Sequence, residues 1–169
     1  RAVIHFAALK AVGESVNKPL EYYFNNLNSL MNVLTCMREF KVPNLVFSSS
    51  CTVYGQADVL PVTEKTPRHE AESPYGNTKV MSEDIIRDLM RVEPDMKALA
   101  LRYFNPIGAH PTAFIGELPN GLPNNLIPYL TQTAIGIREQ LSVFGDDYNT
   151  PDGSPLRDYI DVVDLAQAH

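Results

Sequence analysis

The sequence predicts an α/β fold, a parallel sheet with helices on both faces. Three observations point to it. Short apolar runs stand at residues 2–8 (AVIHFAA), 44–50 (NLVFSSS) and 97–104 (KALALRYF), of a length and composition that suit strands buried in a parallel sheet. Long stretches of helical periodicity separate them. Strands alternating with long helices imply right-handed crossovers, which lay neighbouring strands parallel. Finally, 169 residues with 44% hydrophobic and 20% charged side chains can bury a core, which excludes a disordered chain.

The first helix is expected over residues 18–40. Tyr23, Leu27, Leu30, Leu34 and Met37 recur there at steps of three and four, and Pro19 is tolerated in a first turn. A second helix is expected from about 74 to 91. Beyond Asn105 the texture changes, with Pro and Gly frequent from NPIGAHP through GELPNGLPNN, which predicts a substrate-facing excursion. A helix over about 124–137 follows, then a short strand at 141–145 (LSVFG), a loop, and RDYIDVVDLAQAH as strand running into helix.

Charge and composition narrow the function. A net charge of -6 provides no basic footprint for nucleic acid, and no apolar stretch approaches the roughly 20 residues that span a bilayer. No signal-peptide layout opens the chain, so a cytoplasmic location is the default expectation. The cysteines Cys36 and Cys51 lack metal-ligand spacing and read as reduced thiols, in the core or near a site, and no metal is expected. A first residue that is not methionine and an end inside a helical pattern suggest an internal piece of a longer protein.

The stretch SPYGNTK carries the chemistry. Pro74 near a helix start puts Tyr75 and Lys79 in the first turns, four residues apart on one face. A free tyrosine, with a pKa of about 10, is a poor base at neutral pH, and a nearby cation stabilises its phenolate. Such a pair can take a proton from a hydroxyl while hydride leaves the same carbon. Tyrosine and lysine at this spacing are common on helices, so context matters. Here a strand ends in Ser50, which puts hydroxyls at a strand's carboxyl end, where open α/β sheets place ligands. Serines there can also merely cap backbone groups. A dinucleotide-binding domain normally opens with a glycine-rich turn, and no G-x-G-x-x-G or G-x-x-G-x-x-G occurs. Either no dinucleotide binds, or that half lies upstream of Arg1.

Taken in order, VIHFAALKAVGESV, SSSCTVYG, SPYGNTK, LRYFNPIGAH, PNNLIPY and RDYIDVVDLA resemble the UDP-glucose/UDP-galactose 4-epimerase family of the extended short-chain dehydrogenase/reductase superfamily. The resemblance covers nearly the whole chain and implies part of a Rossmann-like doubly wound sheet. Residues 1–105 would then be the C-terminal part of the NAD-binding domain, and 106–169 mixed substrate-binding segments with a returning strand and helix. It implies a bound NAD, a UDP-sugar substrate, a homodimer in the full-length parent, and epimerisation at C4 through a 4-keto sugar. Position by position, Tyr75 would be the base, Lys79 would lower its pKa and hold the nicotinamide ribose, and Ser50 would hydrogen-bond the reacting oxygen, with Thr52 in support. The loop Phe6, Ala7, Ala8, Leu9, Lys10 would pass the cofactor, with Asn25, Tyr103 and Phe104 nearby. Asn105, Asn125, Leu126, Ser142, Phe144, Arg157 and Tyr159 would contact the nucleotide sugar, Ser142 and Phe144 from the strand LSVFG. Helix N-termini favour anions, which suits a diphosphate there, although Asn124 or Asn125 can equally be an ordinary N-cap. Ile85, Ile86, Leu89 and Met90 permit a dimer face and could equally face the sheet.

Departures from the family pattern are Ala8 for a glycine, Ser29 and Leu30 for Gly-Thr, Cys51 for alanine, and Asp161 for histidine. Rival readings are an epimerase for another UDP-sugar (a uronic acid, pentose or N-acetylated hexose), a nucleotide-sugar 4,6-dehydratase, and a non-catalytic NAD-sensing member. A dehydratase needs acidic groups where Cys51 and Thr52 stand, and non-catalytic members usually lose the tyrosine or lysine. The isolated piece is expected to be inactive.

Overall fold

The structure, a computed structural model, describes residues 1–123 and 125–169, so the expectation at Asn124 lies outside the described residues. It divides into two compact units, Arg1–Tyr103 with His169, and Phe104–Ala168.

In the first unit, β1 (Ala2–His5), β2 (Asn44–Ser48) and β3 (Lys97–Leu101) form a parallel sheet in the order β1-β2-β3. The register aligns Val3 with Leu45 and Ala98, and His5 with Phe47 and Ala100. Because strand side chains alternate between faces, these two rows share one side of the sheet. That side meets α2 (Pro19–Glu39) and α3 (Pro74–Val92) in a core of Leu30, Leu34, Met37, Leu45, Phe47, Ile86 and Met96. The opposite face carries the row Ile4, Val46 and Leu99, whose end members are about half exposed at 48% and 52%. Within this unit the helical core lies on that one face of the sheet.

Helix α2 starts where expected, with Pro19 in its first turn. Its buried stripe is Tyr22, Asn26, Leu30, Leu34 and Met37. Tyr22 rather than Tyr23 thus heads the stripe, and a polar Asn26 sits in an apolar register. A short helix α1 (Val12–Asn17) precedes it and is too brief to show periodicity. Helix α3 is capped by Ser73, whose hydroxyl accepts a hydrogen bond from the Gly76 amide at 3.1 Å. The buried face of α3 is polar in its first half (Thr78, Lys79, Ser82, Glu83) and apolar further on, where Ile86 is buried and Ile85, Leu89 and Met90 pack against the core.

The strands are shorter than the apolar runs. Pairing stops at Ser48 and Leu101, after which β2 leads into a 3-10 turn at Cys51–Tyr54 and the Cys51 amide donates to the Tyr103 carbonyl at 3.1 Å. Residues 49–50 and 102–103 therefore leave the ladder and reach beyond the carboxyl edge of the sheet.

In the second unit, β4 (Asn105–Ile107) and β5 (Tyr159–Asp161) pair in parallel, with α4 (Leu126–Ala134) and α5 (Val162–Ala168). The expected strand at 141–145 does not form. Val143 and Phe144 are 81% and 88% exposed, and a short alternating run with no partner strand has nothing to satisfy its backbone. Arg157 precedes β5, so it does not share a strand face with Tyr159. Asp161 has its own structural work, since its carboxylate accepts from the Val163 amide at 2.7 Å and that of Asp164 at 3.4 Å, capping α5.

Leu30 is fully buried at the centre of the first unit's core. Leu30→Ala should lower the unfolding free energy by about 2–5 kcal/mol, measured by urea denaturation.

Candidate functional site

Three successive serines leave β2, and each is buried with a different partner. The Ser48 hydroxyl is hydrogen-bonded to the Tyr103 phenol, and its backbone carbonyl accepts from Lys79 Nζ at 2.7 Å. Ser49, on the other side of the chain, donates to Glu83 Oε1 at 2.6 Å. Ser50 Oγ accepts from the Thr52 amide at 3.2 Å, which caps the 3-10 turn and aims the hydroxyl along the site. The serine row thus combines one backbone cap, at Ser50, with two side-chain contacts, and makes a polar patch at the carboxyl end of the sheet.

Helix α3 supplies the opposite wall. Gly76 permits its close approach, because a Cβ there would lie 3.3 Å from Thr52 Cβ and 3.4 Å from Ala71 Cβ. Tyr75 is partly buried and Lys79 is buried. Lys79 Nζ sits 5.8 Å from the Tyr75 ring centroid and 5.0 Å from that of Phe47. The Thr52 hydroxyl is buried without a hydrogen-bond partner. A polar atom in that condition is costly unless a ligand satisfies it.

Electrostatics refine the expected role of the pair. Burial pushes the Tyr75 phenol above the ordinary tyrosine value; an interaction with the Ser50 hydroxyl pulls the other way, while Tyr103 and Cys51 add to the rise. The Lys79 ammonium's hydrogen bond goes to the Ser48 carbonyl, not the phenol. Lys79 itself is pushed down to about 8 by burial. Burial also lowers His5, on β1, with Lys79 adding to the effect.

The loop after β1 is tied to this wall by a residue that sequence reasoning missed. Asn26 Oδ1 accepts from the Leu9 amide at 2.8 Å, and its Nδ2 donates to the Leu9 carbonyl at 3.0 Å and to Thr78 Oγ1 at 3.1 Å. Thr78 in turn donates to the Tyr75 carbonyl at 2.7 Å. The neighbouring Asn25, expected at the cofactor, is exposed and donates to Asn26 Oδ1. A polar residue in the apolar stripe of α2 was the signal for Asn26. Phe6 is 57% exposed beyond β1, Ala7, Leu9 and Lys10 are exposed as well, and Ala8 is half-buried with no left-handed backbone that would demand glycine. Cys36 is exposed rather than core, and neither cysteine is in a disulfide.

The first unit thus brings together Ser50, Thr52, Tyr75, Lys79 and Tyr103. Phe104 and the expected nucleotide-sugar residues belong to the second unit. There Asn105 is paired with Tyr159 and donates its amide to the Asp158 carbonyl at 3.1 Å. Asn125 is the N-cap of α4 without a side-chain cap bond, and Leu126 opens the helix. Ser142 and Phe144 lie in an exposed segment outside any strand, and the Arg157 guanidinium donates to the Leu156 carbonyl at 2.7 Å. Among the described residues no cluster of His, Cys, Asp or Glu could hold a metal, and no helix is long and apolar enough to cross a membrane.

A parallel α/β sheet with serine at a strand's carboxyl end opposite a Tyr-x-x-x-Lys helix defines a short-chain dehydrogenase/reductase type of protein. Comparisons agree and go further. The chain matches the family described as "NAD dependent epimerase/dehydratase family" over residues 1–169, and it belongs to that family. It is 58% identical over 169 residues to the UDP-glucose 4-epimerase of Mus musculus, covering 100% of this chain and 49% of that protein. To the UDP-glucose 4-epimerase of Yersinia pestis it is 54% identical over 168 residues, 99% of this chain and 50% of that one. The crystal structure of UDP-glucose 4-epimerase from Bifidobacterium longum in complex with NAD+ and UDP matches with a TM-score of 0.96 and 52% identity, covering 99% of this chain and 50% of the other. The chain spans about half the length of the relatives it matches.

The folded chain holds the Lys79 proton less tightly than the unfolded chain, so the unfolded state binds more protons between about 8 and the ordinary 10.5. Stability should rise with pH across that window and be flat in this respect below it. Lys79→Met should remove the rise, a slope difference approaching about 1.4 kcal/mol per pH unit, read from urea midpoints at a series of pH values.

Proposed function

We propose that the intact protein is an NAD-dependent epimerase that interconverts UDP-glucose and UDP-galactose at C4 through a transient 4-keto sugar. The observation that carries this reading is the grouping of Ser50, Tyr75 and Lys79 with the unpartnered Thr52 hydroxyl. Relatives named UDP-glucose 4-epimerase at 54% and 58% identity support the choice of substrate.

The residues present fit NAD at its nicotinamide end. A buried lysine without a carboxylate partner, an orphaned threonine hydroxyl and an exposed loop tied down by Asn26 make a polar floor beside the carboxyl end of β1. Lys79 would hold the cofactor's ribose, and Phe6 to Lys10, Asn25, Tyr103 and Phe104 would line its path. Bound NAD supplies an acceptor that takes a hydride and returns it within one turnover.

Tyr75 takes the proton from the sugar 4-hydroxyl as hydride leaves the same carbon. In the buried setting the phenol resists ionisation, so its ionised form depends on positive charge, and Lys79 is the chain's own cation at that position. Ser50 hydrogen-bonds the reacting oxygen and Thr52 contacts the sugar. Once the keto sugar has turned over so that its other face receives the returning hydride, Tyr75 gives the proton back to the 4-oxygen. Asn105, Asn125, Leu126, Ser142, Phe144, Arg157 and Tyr159 hold the uridine diphosphate, with the Arg157 fork suited to paired phosphate oxygens.

In this reading residues 1–105 complete an NAD-binding domain and 106–169 contribute to the sugar-nucleotide side, a division supported by the compact-unit boundary after Tyr103. The protein is a cytoplasmic homodimer. Leu20, Phe24 and Met31, spaced along one exposed stripe of α2 at 80%, 75% and 43%, support a subunit contact on that helix.

Tyr75→Phe in the intact protein should cut conversion of UDP-galactose to UDP-glucose by about 10²–10⁴-fold while NAD stays bound. Turnover near that of the unmodified protein would remove the base from Tyr75.

A further inference from the structure

Glu83 lies one turn beyond Lys79 and two beyond Tyr75, on the same face of α3, and is buried with 7% exposure. By helix spacing alone it is the natural counter-ion for Lys79. It is engaged elsewhere. Arg102, just past β3, grips it through both carboxylate oxygens, Nε to Oε1 at 2.9 Å and a terminal nitrogen to Oε2 at 2.6 Å. Arg68 stands behind at 3.7 Å and is itself bonded to Asp84 at 2.7 Å. The Arg102 guanidinium also lies 5.0 Å from the Tyr54 ring centroid, which holds the fork from a second side. Oε1 also accepts the Ser49 hydroxyl, and Ser49 is the residue before Ser50.

We infer that Glu83 and Arg102 are positioning residues for the site: their ion pair pins the ends of β2 and β3 to α3, setting Ser50 against Tyr75, and keeps the carboxylate from neutralising the Lys79 ammonium. The inference rests on the proposed role of Tyr75 and Lys79. An unneutralised ammonium is what a developing phenolate requires, and a carboxylate one turn away would cancel it. The charged and titratable groups around Lys79 are His5 on β1, on which its charge acts, Tyr75 and Glu83 on its own helix, Tyr103, bonded to Ser48, and behind Glu83 the guanidinium groups of Arg102 and Arg68.

The test uses three variants of the intact protein: Arg102→Met, Glu83→Gln and the two combined. Arg102→Met leaves the carboxylate underpaired, so the acid limb of the kcat/KM pH profile should move up, by roughly one to two pH units for a charge about 6–12 Å away at an effective dielectric of about 20. Glu83→Gln keeps a partner for Ser49 but frees the guanidinium, so the limb should move down by a similar amount. The double variant removes both charges and should return the limb close to that of the unmodified protein. Lys79 titration by 15N-lysine NMR, without substrate, should move up, down and back in the same order. Opposed shifts that cancel support the inference. Equal losses of activity and stability in both single variants, with no displacement of either titration, would overturn it. Tyr75→Phe assayed in parallel separates the two claims: retained turnover there defeats the base assignment, while the Lys79 titration still decides the ion pair.

Discussion

The site depends on one costly arrangement, an ammonium buried at the carboxyl edge of a parallel sheet with a backbone carbonyl as its hydrogen-bond acceptor. Lys79 donates to the Ser48 carbonyl at 2.7 Å, and burial alone brings its pKa to about 8. Charge taken out of water without an ion partner is unfavourable, and a fold keeps such a group where a ligand or a reaction uses it. Everything around Lys79 is consistent with this use. The strand ends present hydroxyls, the loop after β1 is anchored by Asn26, and the carboxylate that could relieve the charge is held by arginine.

Helix α3 is where sequence, packing and chemistry meet. Its apolar half, centred on Ile86, joins the core with Leu34 and Phe47, while its polar half leaves that core to meet the serines at the end of β2. Gly76 lets the first turn approach the 3-10 segment at Thr52, and Ser73 caps the helix so that Tyr75 sits in its first turn. One helix therefore anchors itself by hydrophobic burial at one end and presents a tyrosine and a lysine at the other. Membership in the NAD dependent epimerase/dehydratase family gives that polar half its context. The departures from the family pattern are also absorbed locally: Asp161 caps α5, Leu30 fills the core, and Ala8 adopts a backbone open to any residue.

Much of this was legible in the chain. Three strands and two long helices could be read because hydrophobic periodicity reports burial directly, and a helix starting at Pro74 puts Tyr75 and Lys79 on one face through their four-residue spacing alone. The strand at 141–145 failed for the complementary reason: alternation in LSVFG carries no information about whether a partner strand exists. The four apolar residues from Ile85 to Met90 were ambiguous in sequence, since an apolar stripe does not say what it packs against; Ile86 is buried in the core, and Ile85, Leu89 and Met90 pack against it with part of their surface exposed.

By itself the sequence determined the class of fold, the order of its main elements and the residue types that carry the chemistry, because these follow from local spacing. Only the tertiary structure decided which polar groups share a partner. Ser49, Glu83 and Arg102 are far apart in the chain, and Asn26 meets Leu9 and Thr78 across the fold. Burial also set the direction of the Tyr75 and Lys79 titrations, because desolvation depends on what surrounds a side chain, and no pattern along the chain records that.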